Sequence, residues 1–231
     1  MPSPTVITPA ELAAYEPMIG AIARRMIRDR ERARDAAQDA WVAVVAGLGT
    51  FRGECRLSTW VYTVASREIL RTARDERVYS TRFLSDYFHG PERELPGEGG
   101  VEKEAWVRSM CDACLTGMLH CLDNRQRLAY VLRDLADLDY DEVAAILEDS
   151  PETVRQQVSR ARRRLNHFLR GECALVNPQA PCRCRMRSHV EAVDLPAEYR
   201  RLYATLGRAN VWRASWALSP GDDHWRPLQK K

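Results

Sequence analysis

LDYDEVAAILEDSPETVRQQVSRARRRLNHFL, Leu138–Leu169, holds two helix starts and one helix stop within a single stretch. Asp139 followed three residues later by Glu142 has the form of a capping box, in which two side chains satisfy orphan N–H groups of the first helical turn. Behind it Val143, Ile146 and Leu147 recur at helical spacing. Glu148 and Asp149 form a turn, Ser150 supplies an N-cap oxygen, and Pro151 stands where a missing N–H costs nothing. A second helix must begin there. Along it Val154, Val158, Ala161, Leu165 and Phe168 follow at spacings of four, three, four and three, one apolar stripe. The other face carries Arg155, Gln156, Ser159, Arg160, Arg162 and Arg163.

Two short-linked helices, the second offering Arg and Gln near its N-terminus, suit reading of the DNA major groove. Arginine bonds guanine O6 and N7 in a bidentate manner, and glutamine does the same with adenine. The net charge of only +3 hides the concentration of positive charge here. Arg155, Arg160, Arg162, Arg163, Arg164, Arg170, Arg183, Arg185 and Arg187 stand against the single acid Glu172, a match for phosphate. Charge alone fits a solvated helix face equally well, since lysine occurs only at Lys103, Lys230 and Lys231. The caps and the basic face together select a DNA-binding helix-turn-helix from about Arg125 to Leu169.

A chain of 231 residues with 45% hydrophobic content holds one ordinary domain or two small ones. The start, MPSPTVITPAELAAYEP, lacks the basic and apolar regions of a secretory signal, and no uncharged apolar run approaches membrane-spanning length. A cytoplasmic protein without membrane insertion is expected. No nucleotide-binding glycine loop, HExxH zinc motif or GxSxG elbow is present, so no enzyme is expected. The fold class expected is all-α, in four parts. These are a helical domain over 1–77, a flexible linker over 78–100 rich in Gly, Pro and Glu, the helix-turn-helix domain over 101–170, and a Cys-containing extension over 171–231.

In the N-terminal half, Ala36, Ala37, Ala40, Trp41, Val44, Val45 and Leu48 form a helical core face, leaving Asp35, Gln38 and Asp39 outward as an acidic edge for a basic partner. FRGECRLS, Phe51–Ser58, reads as a polar loop with Ser58 capping the next helix. On that helix Trp60 sits beside Val61, Val64 and Ala65 and is assigned to the core.

The run LDNRQRLAYVLRDLADLDYDEVAAILEDSPETVRQQVSRARRRL, Leu122–Leu165, resembles the C-terminal domain of bacterial RNA polymerase sigma factors of the sigma-70 superfamily, extracytoplasmic-function (ECF) group. RARDAAQDAWVAVVAGLGTFRGECRLSTWVYTVASREILR, Arg32–Arg71, resembles region two of the same family, in the expected order. The resemblance implies a subunit that binds core RNA polymerase and promoter DNA, does no covalent chemistry, and requires no cofactor. It implies reading of the minus-thirty-five element by Thr153, Arg155, Gln156, Ser159, Arg160 and Arg163. Asp35, Gln38 and Asp39 would contact a coiled coil of the polymerase's largest subunit. The minus-ten region would fall to Arg52, Glu54, Cys55, Arg56, Tyr62 and Arg67, because exposed aromatic and Arg side chains hold unstacked bases. An anti-sigma factor is a candidate further partner. A conventional helix-turn-helix regulator, not associated with polymerase, is the competing reading of the second module.

The seven cysteines are left over. An odd number in a reducing compartment argues against a disulfide framework. Cys111, Cys114 and Cys121 fit small buried residues or ligands. CALVNPQAPCRC, Cys173–Cys184, resembles the cysteine-rich extension of some ECF sigma factors. By that resemblance Cys173, Cys182 and Cys184, completed by His189 or an upstream Cys, are candidate ligands for Cu, Zn or Cd, since soft thiolates suit such ions.

Overall fold

The computed structural model describes residues 7–88, 116–172, 177, 179 and 180. Its regular elements are α1 (Pro9–Ala13), α2 (Glu16–Met26), α3 (Arg30–Gly47), α4 (Leu57–Thr72), α5 (Thr81–Phe88), α6 (Asn124–Tyr130), α7 (Tyr140–Leu147) and α8 (Pro151–Glu172). Single 3-10 turns, Leu48–Thr50 and Ala73–Asp75, end α3 and α4, and a π turn, Val131–Leu135, continues α6. The all-α expectation holds for the described residues. They fall into two compact units, residues 7–77 with 123–159, and residues 78–88 with 116–122 and 160–172.

In the first unit α2, α3 and α4 pack on one another. Ile19, Ile22 and Met26 of α2 meet a core with Val61, Ala65 and Ile69 of α4, while α3 buries Ala33, Ala36, Ala40 and Val44. Three alanines on the buried face of α3 allow close helix approach, because interaxial distance follows side-chain size. The start of α3 is capped by Asp29, whose carboxylate accepts from Arg32 N at 2.8 Å. Glu76, buried beyond the end of α4, accepts from Arg28 Nε at 3.0 Å and from an Arg32 terminal nitrogen at 3.3 Å. Arg32 also donates to the Thr72 carbonyl at 3.0 Å. A buried carboxylate held by two guanidiniums avoids the cost of an unpaired charge and pins α3 to α4.

Helix phase corrects three sequence-based expectations here. Val45 is 49% exposed rather than core. Its turn on α3 is buried by Val44 alone, one residue back. Ser58 does not cap α4, which begins at Leu57 with Arg56 as its N-cap residue and no side-chain cap bond. Tyr62 is only 6% exposed, while Trp60 is half-buried. The buried face of α4 runs through Val61, Tyr62, Ala65 and Ile69, and Tyr62 meets Tyr15 edge-on at 5.8 Å.

Burial pushes the Tyr62 hydroxyl up to about 12, with Tyr15 adding to the shift. A proton held more tightly folded than unfolded contributes stability that is whole below the unfolded value, about 10, and is lost as the pH rises through the folded one. The shift is worth on the order of 2–3 kcal/mol. Tyr62→Phe is therefore expected to flatten the fall in melting temperature between about pH 10 and 12. Parallel alkaline slopes for both proteins would assign that fall to other groups.

Within the same unit, α6 packs on α2 and α7 packs on α4. Arg127 of α6 is fully buried and donates to the Met26 carbonyl at the C-terminal end of α2, at 2.9 Å. Asn124 donates to the Ala73 carbonyl at 2.6 Å. A guanidinium on the last carbonyls of a helix meets both their hydrogen-bonding need and the negative end of the dipole.

The second unit corrects the linker expectation at its start. Ser80 accepts from Phe83 N at 3.1 Å and starts α5 inside the segment taken as flexible from Val78. Tyr79 and Leu84 are buried, Tyr79 stacks on Phe83 at 4.8 Å, and Tyr79 N donates to the His120 carbonyl at 2.9 Å. A cap with two apolar anchors outweighs the Gly and Pro that follow. Residues 89–100 of that linker lie outside the described residues.

Candidate nucleic-acid interface

The helix-turn-helix is built as its local signals require. Asp139 accepts from Glu142 N at 2.8 Å and Glu142 accepts from Asp139 N at 3.0 Å, the reciprocal capping box. Glu148 ends α7 in the left-handed region, φ 55°, and so turns the chain sharply without a glycine. Arg125 braces the turn through Asp149 at 2.8 Å and the Leu147 carbonyl. Ser150 Oγ then accepts from Thr153 N at 3.1 Å. Removing that cap, Ser150→Ala, is expected to cost about 1 kcal/mol, measured by urea unfolding followed by circular dichroism. No measurable change would mean that water satisfies the exposed Thr153 N–H as well as the Ser150 hydroxyl does.

Val154, Val158, Ala161, Leu165 and Phe168 of α8 are all buried, so the opposite face is the outward one. Arg155, Gln156, Ser159, Arg160 and Arg163 are exposed and Thr153 is half-buried. Gln156 donates to Glu152 at 3.3 Å, and Arg155 lies 3.7 Å from the same carboxylate. The Arg155 guanidinium also stands over the Tyr140 ring, 5.4 Å from its centroid.

The loop before α4 presents Arg52, Glu54, Cys55 and Arg56 to solvent, with Gly53 at φ 74° making the bend. Arg56 pairs with Glu142 of α7 at 3.2 Å, Thr59 Oγ1 donates to the same oxygen at 3.3 Å, and Arg67 pairs with Glu148 at 2.7 Å. Tyr62 is removed from this surface by its burial. The aromatic pair beside the loop is instead Phe51 and Trp60, both half-buried, 5.7 Å apart and tilted. Gly47 lies against the pair, and a Cβ there would meet the Trp60 ring at 3.4 Å, an ordinary van der Waals contact. The signal for this pair was the loop position of Phe51, nine residues before Trp60, which periodicity along α4 alone does not register.

On α3, Asp35, Gln38 and Asp39 are exposed as expected, and Asp39 lies 4.0 Å from Arg71. Glu68 and, more weakly, Asp39 raise the Arg71 pKa. The same outward stripe continues into Val42, 58% exposed, and Val45. Periodicity does not separate Val45 from its buried neighbour Val44, so this apolar continuation is not legible in the sequence.

Cys173, Cys182, Cys184 and His189 lie outside the described residues, as do Cys111 and Cys114. Cys121 is buried, in keeping with a small core residue, and Cys55 is exposed. Among the described residues no group of three or more His, Cys, Asp or Glu is arranged to hold a metal ion. No helix among them is long and apolar enough to cross a membrane.

The described residues are all-helical, with a capped helix-turn-helix whose outward face is basic packed beside a bundle of three helices. Residues 12–78 match the profile of Sigma-70 region 2, and residues 112–165 match that of Sigma-70, region 4. The RNA polymerase sigma-H factor of Pseudomonas aeruginosa is 27% identical over 164 residues, covering 67% of this chain and 82% of that protein. The ECF RNA polymerase sigma-E factor of Escherichia coli K12 is 29% identical over 140 residues, covering 58% and 71%. Among solved structures, the sigma factor RpoE in complex with the anti-sigma factor NepR from Bartonella quintana superposes with a TM-score of 0.51 at 23% identity, covering 70% of this chain and 95% of that one. CnrH in complex with the cytosolic domain of CnrY gives a TM-score of 0.51 at 20% identity, covering 68% and 84%. The chain belongs to the ECF group of the sigma-70 family of RNA polymerase sigma factors. It acts with core RNA polymerase on promoter DNA to direct transcription.

Proposed function

We propose a division of labour among the surfaces described. The outward face of α8, through Thr153, Arg155, Gln156, Ser159, Arg160 and Arg163, reads the minus-thirty-five element. Arg52, Glu54, Cys55, Arg56 and Arg67 handle the minus-ten region, with Phe51 and Trp60 in place of Tyr62 as the stacking surface. Asp35, Gln38 and Asp39 dock on a basic element of the polymerase, and Val42 and Val45 add apolar area to that contact. The observation that carries this reading is the basic face of α8, held outward by burial of the opposite stripe and by caps at the start of both helices. The chain itself makes and breaks no covalent bond, and it works in the cytoplasm. Because the two solved structures named above are complexes with a second protein, an anti-sigma factor or a cytosolic domain, an anti-sigma factor is proposed as a partner of this chain as well.

The test is promoter-dependent transcription by purified core polymerase on a genomic promoter library. Start sites that require the chain, and that disappear with Asp35→Arg/Asp39→Arg while DNA binding by α8 persists, support the division. Initiation unaffected by that pair of substitutions would overturn the docking assignment. The C-terminal thiols are proposed as a metal- or redox-sensing element on the ground that clustered thiolates bind Cu, Zn or Cd tightly. Metal stoichiometry of the full chain should fall with Cys182→Ser; unchanged stoichiometry would end that part of the proposal.

Packing of α7 on α4 sets a further condition. Elements named for positions ten and thirty-five are about 25 base pairs apart, or about 85 Å at roughly 3.4 Å per step. Two helices in contact do not span that distance, so the contact belongs to a form that precedes promoter engagement. Bio-orthogonal fluorophores at the exposed positions Ala46 and Ala145 should report a short separation in the free chain and one longer by tens of ångströms in the promoter complex. An equal separation in both would contradict this placement.

A further inference from the structure

Tyr140 is the first residue of α7, a position whose capping is already complete through Asp139 and Glu142. Its ring is half-buried, and neither the helix start nor the core requires an aromatic there. Two guanidiniums nevertheless lie over it, Arg133 with Cζ 5.2 Å from the centroid and Arg155 at 5.4 Å. Arg133 is anchored from behind by Asp137 Oδ1 at 3.4 Å, and Arg155 is drawn toward Glu152 at 3.7 Å.

An unrestrained arginine side chain loses substantial rotamer freedom when it is fixed against a base edge. A ring face that attracts the guanidinium restrains it beforehand. That attraction acts on the charge of the cation and occupies no hydrogen-bond acceptor, so the N–H fork stays available for guanine O6 and N7. The long separation from Glu152, with the Arg155 side chain 52% exposed, leaves donors open to solvent and so to a base.

We infer that Tyr140 is a positioning residue for base recognition by Arg155: its ring holds the guanidinium in a reading orientation before DNA arrives. The inference rests on the proposed reading of the upstream element by α8. It goes beyond that reading by assigning a specificity role to a side chain on the other helix of the motif, one that itself touches no base.

The experiment is holoenzyme transcription from a library randomised across the upstream element, with the wild type, Arg155→Ala, Tyr140→Ala and Tyr140→Phe. Arg155→Ala should flatten the preference at one base position. Tyr140→Ala should weaken the preference at that same position by about 2- to 5-fold, with other positions and core binding unchanged, since a cation–π contact at an exposed site is a modest interaction. Tyr140→Phe keeps the ring face and should restore it. A normal preference in Tyr140→Ala beside a flattened one in Arg155→Ala overturns the inference alone. Equal weakening at every position, or a Tyr140→Phe protein as defective as Tyr140→Ala, overturns it by pointing to general support or to the hydroxyl. An unchanged preference in Arg155→Ala overturns both the inference and the reading assigned to Arg155.

Discussion

Arg127→Ala is expected to lower the unfolding free energy by about 3–5 kcal/mol, the largest loss for any single substitution in the first unit. The side chain is fully buried and donates to the Met26 carbonyl at 2.9 Å, bridging α6 to the last turn of α2. Truncation leaves a cavity the size of several methylenes, and in the same step removes the donor from a buried carbonyl. Arg127→Met refills much of the volume without the donor and should cost less, about 1–3 kcal/mol. Urea unfolding of the three proteins separates the two contributions. A loss below about 1 kcal/mol for the alanine variant would mean that relaxation or water replaces the bridge.

Arg160→Ala is expected to lose about 1–3 kcal/mol of discrimination at one base position of the upstream element, or about 5- to 150-fold in relative preference. At 100° per residue, Arg160 and Arg163 point away from the buried Val154, Val158, Ala161 and Leu165, so they are outward wherever the stripe is inward. A base-reading arginine is lost at one position, whereas a phosphate-binding one weakens all sequences about equally and lowers the salt dependence. Binding of the holoenzyme to single-base variants at fixed salt tells these apart. Unaltered preference with reduced overall affinity would move Arg160 from the reading face to the backbone contacts.

The two predictions draw on different levels of information. Arg160 could be placed from sequence because α7 and α8 are delimited by interactions three or four residues long. Asp139 with Glu142 and Ser150 with Pro151 declare their helix starts regardless of what surrounds them, and the apolar stripe then decides which face is outward. Asp35, Gln38 and Asp39 were placed by the same logic on α3. Local chemistry also explains α5 in retrospect, since Ser80, Tyr79 and Leu84 were visible but were outweighed by the Gly and Pro downstream.

Arg127 offered no such signal. An arginine in NRQR, Asn124–Arg127, reads as a solvated charge, and only the approach of α2, whose last residue is 101 positions earlier, makes it a buried donor. Tyr62 and Trp60 were inverted for the same reason. Both flank Val61, both are aromatic, and the partner that buries one of them is Tyr15, distant in sequence. Glu142 and Glu148 likewise read as a cap and a turn, and their second role toward Arg56 and Arg67 exists only because α7 lies on α4. What the chain determined by itself was therefore the helices, their caps and the outward basic and acidic faces, all set by neighbours within about two turns. Tertiary structure alone decided which arginines are buried and which aromatic remains accessible, because burial depends on surfaces brought together from distant parts of the chain.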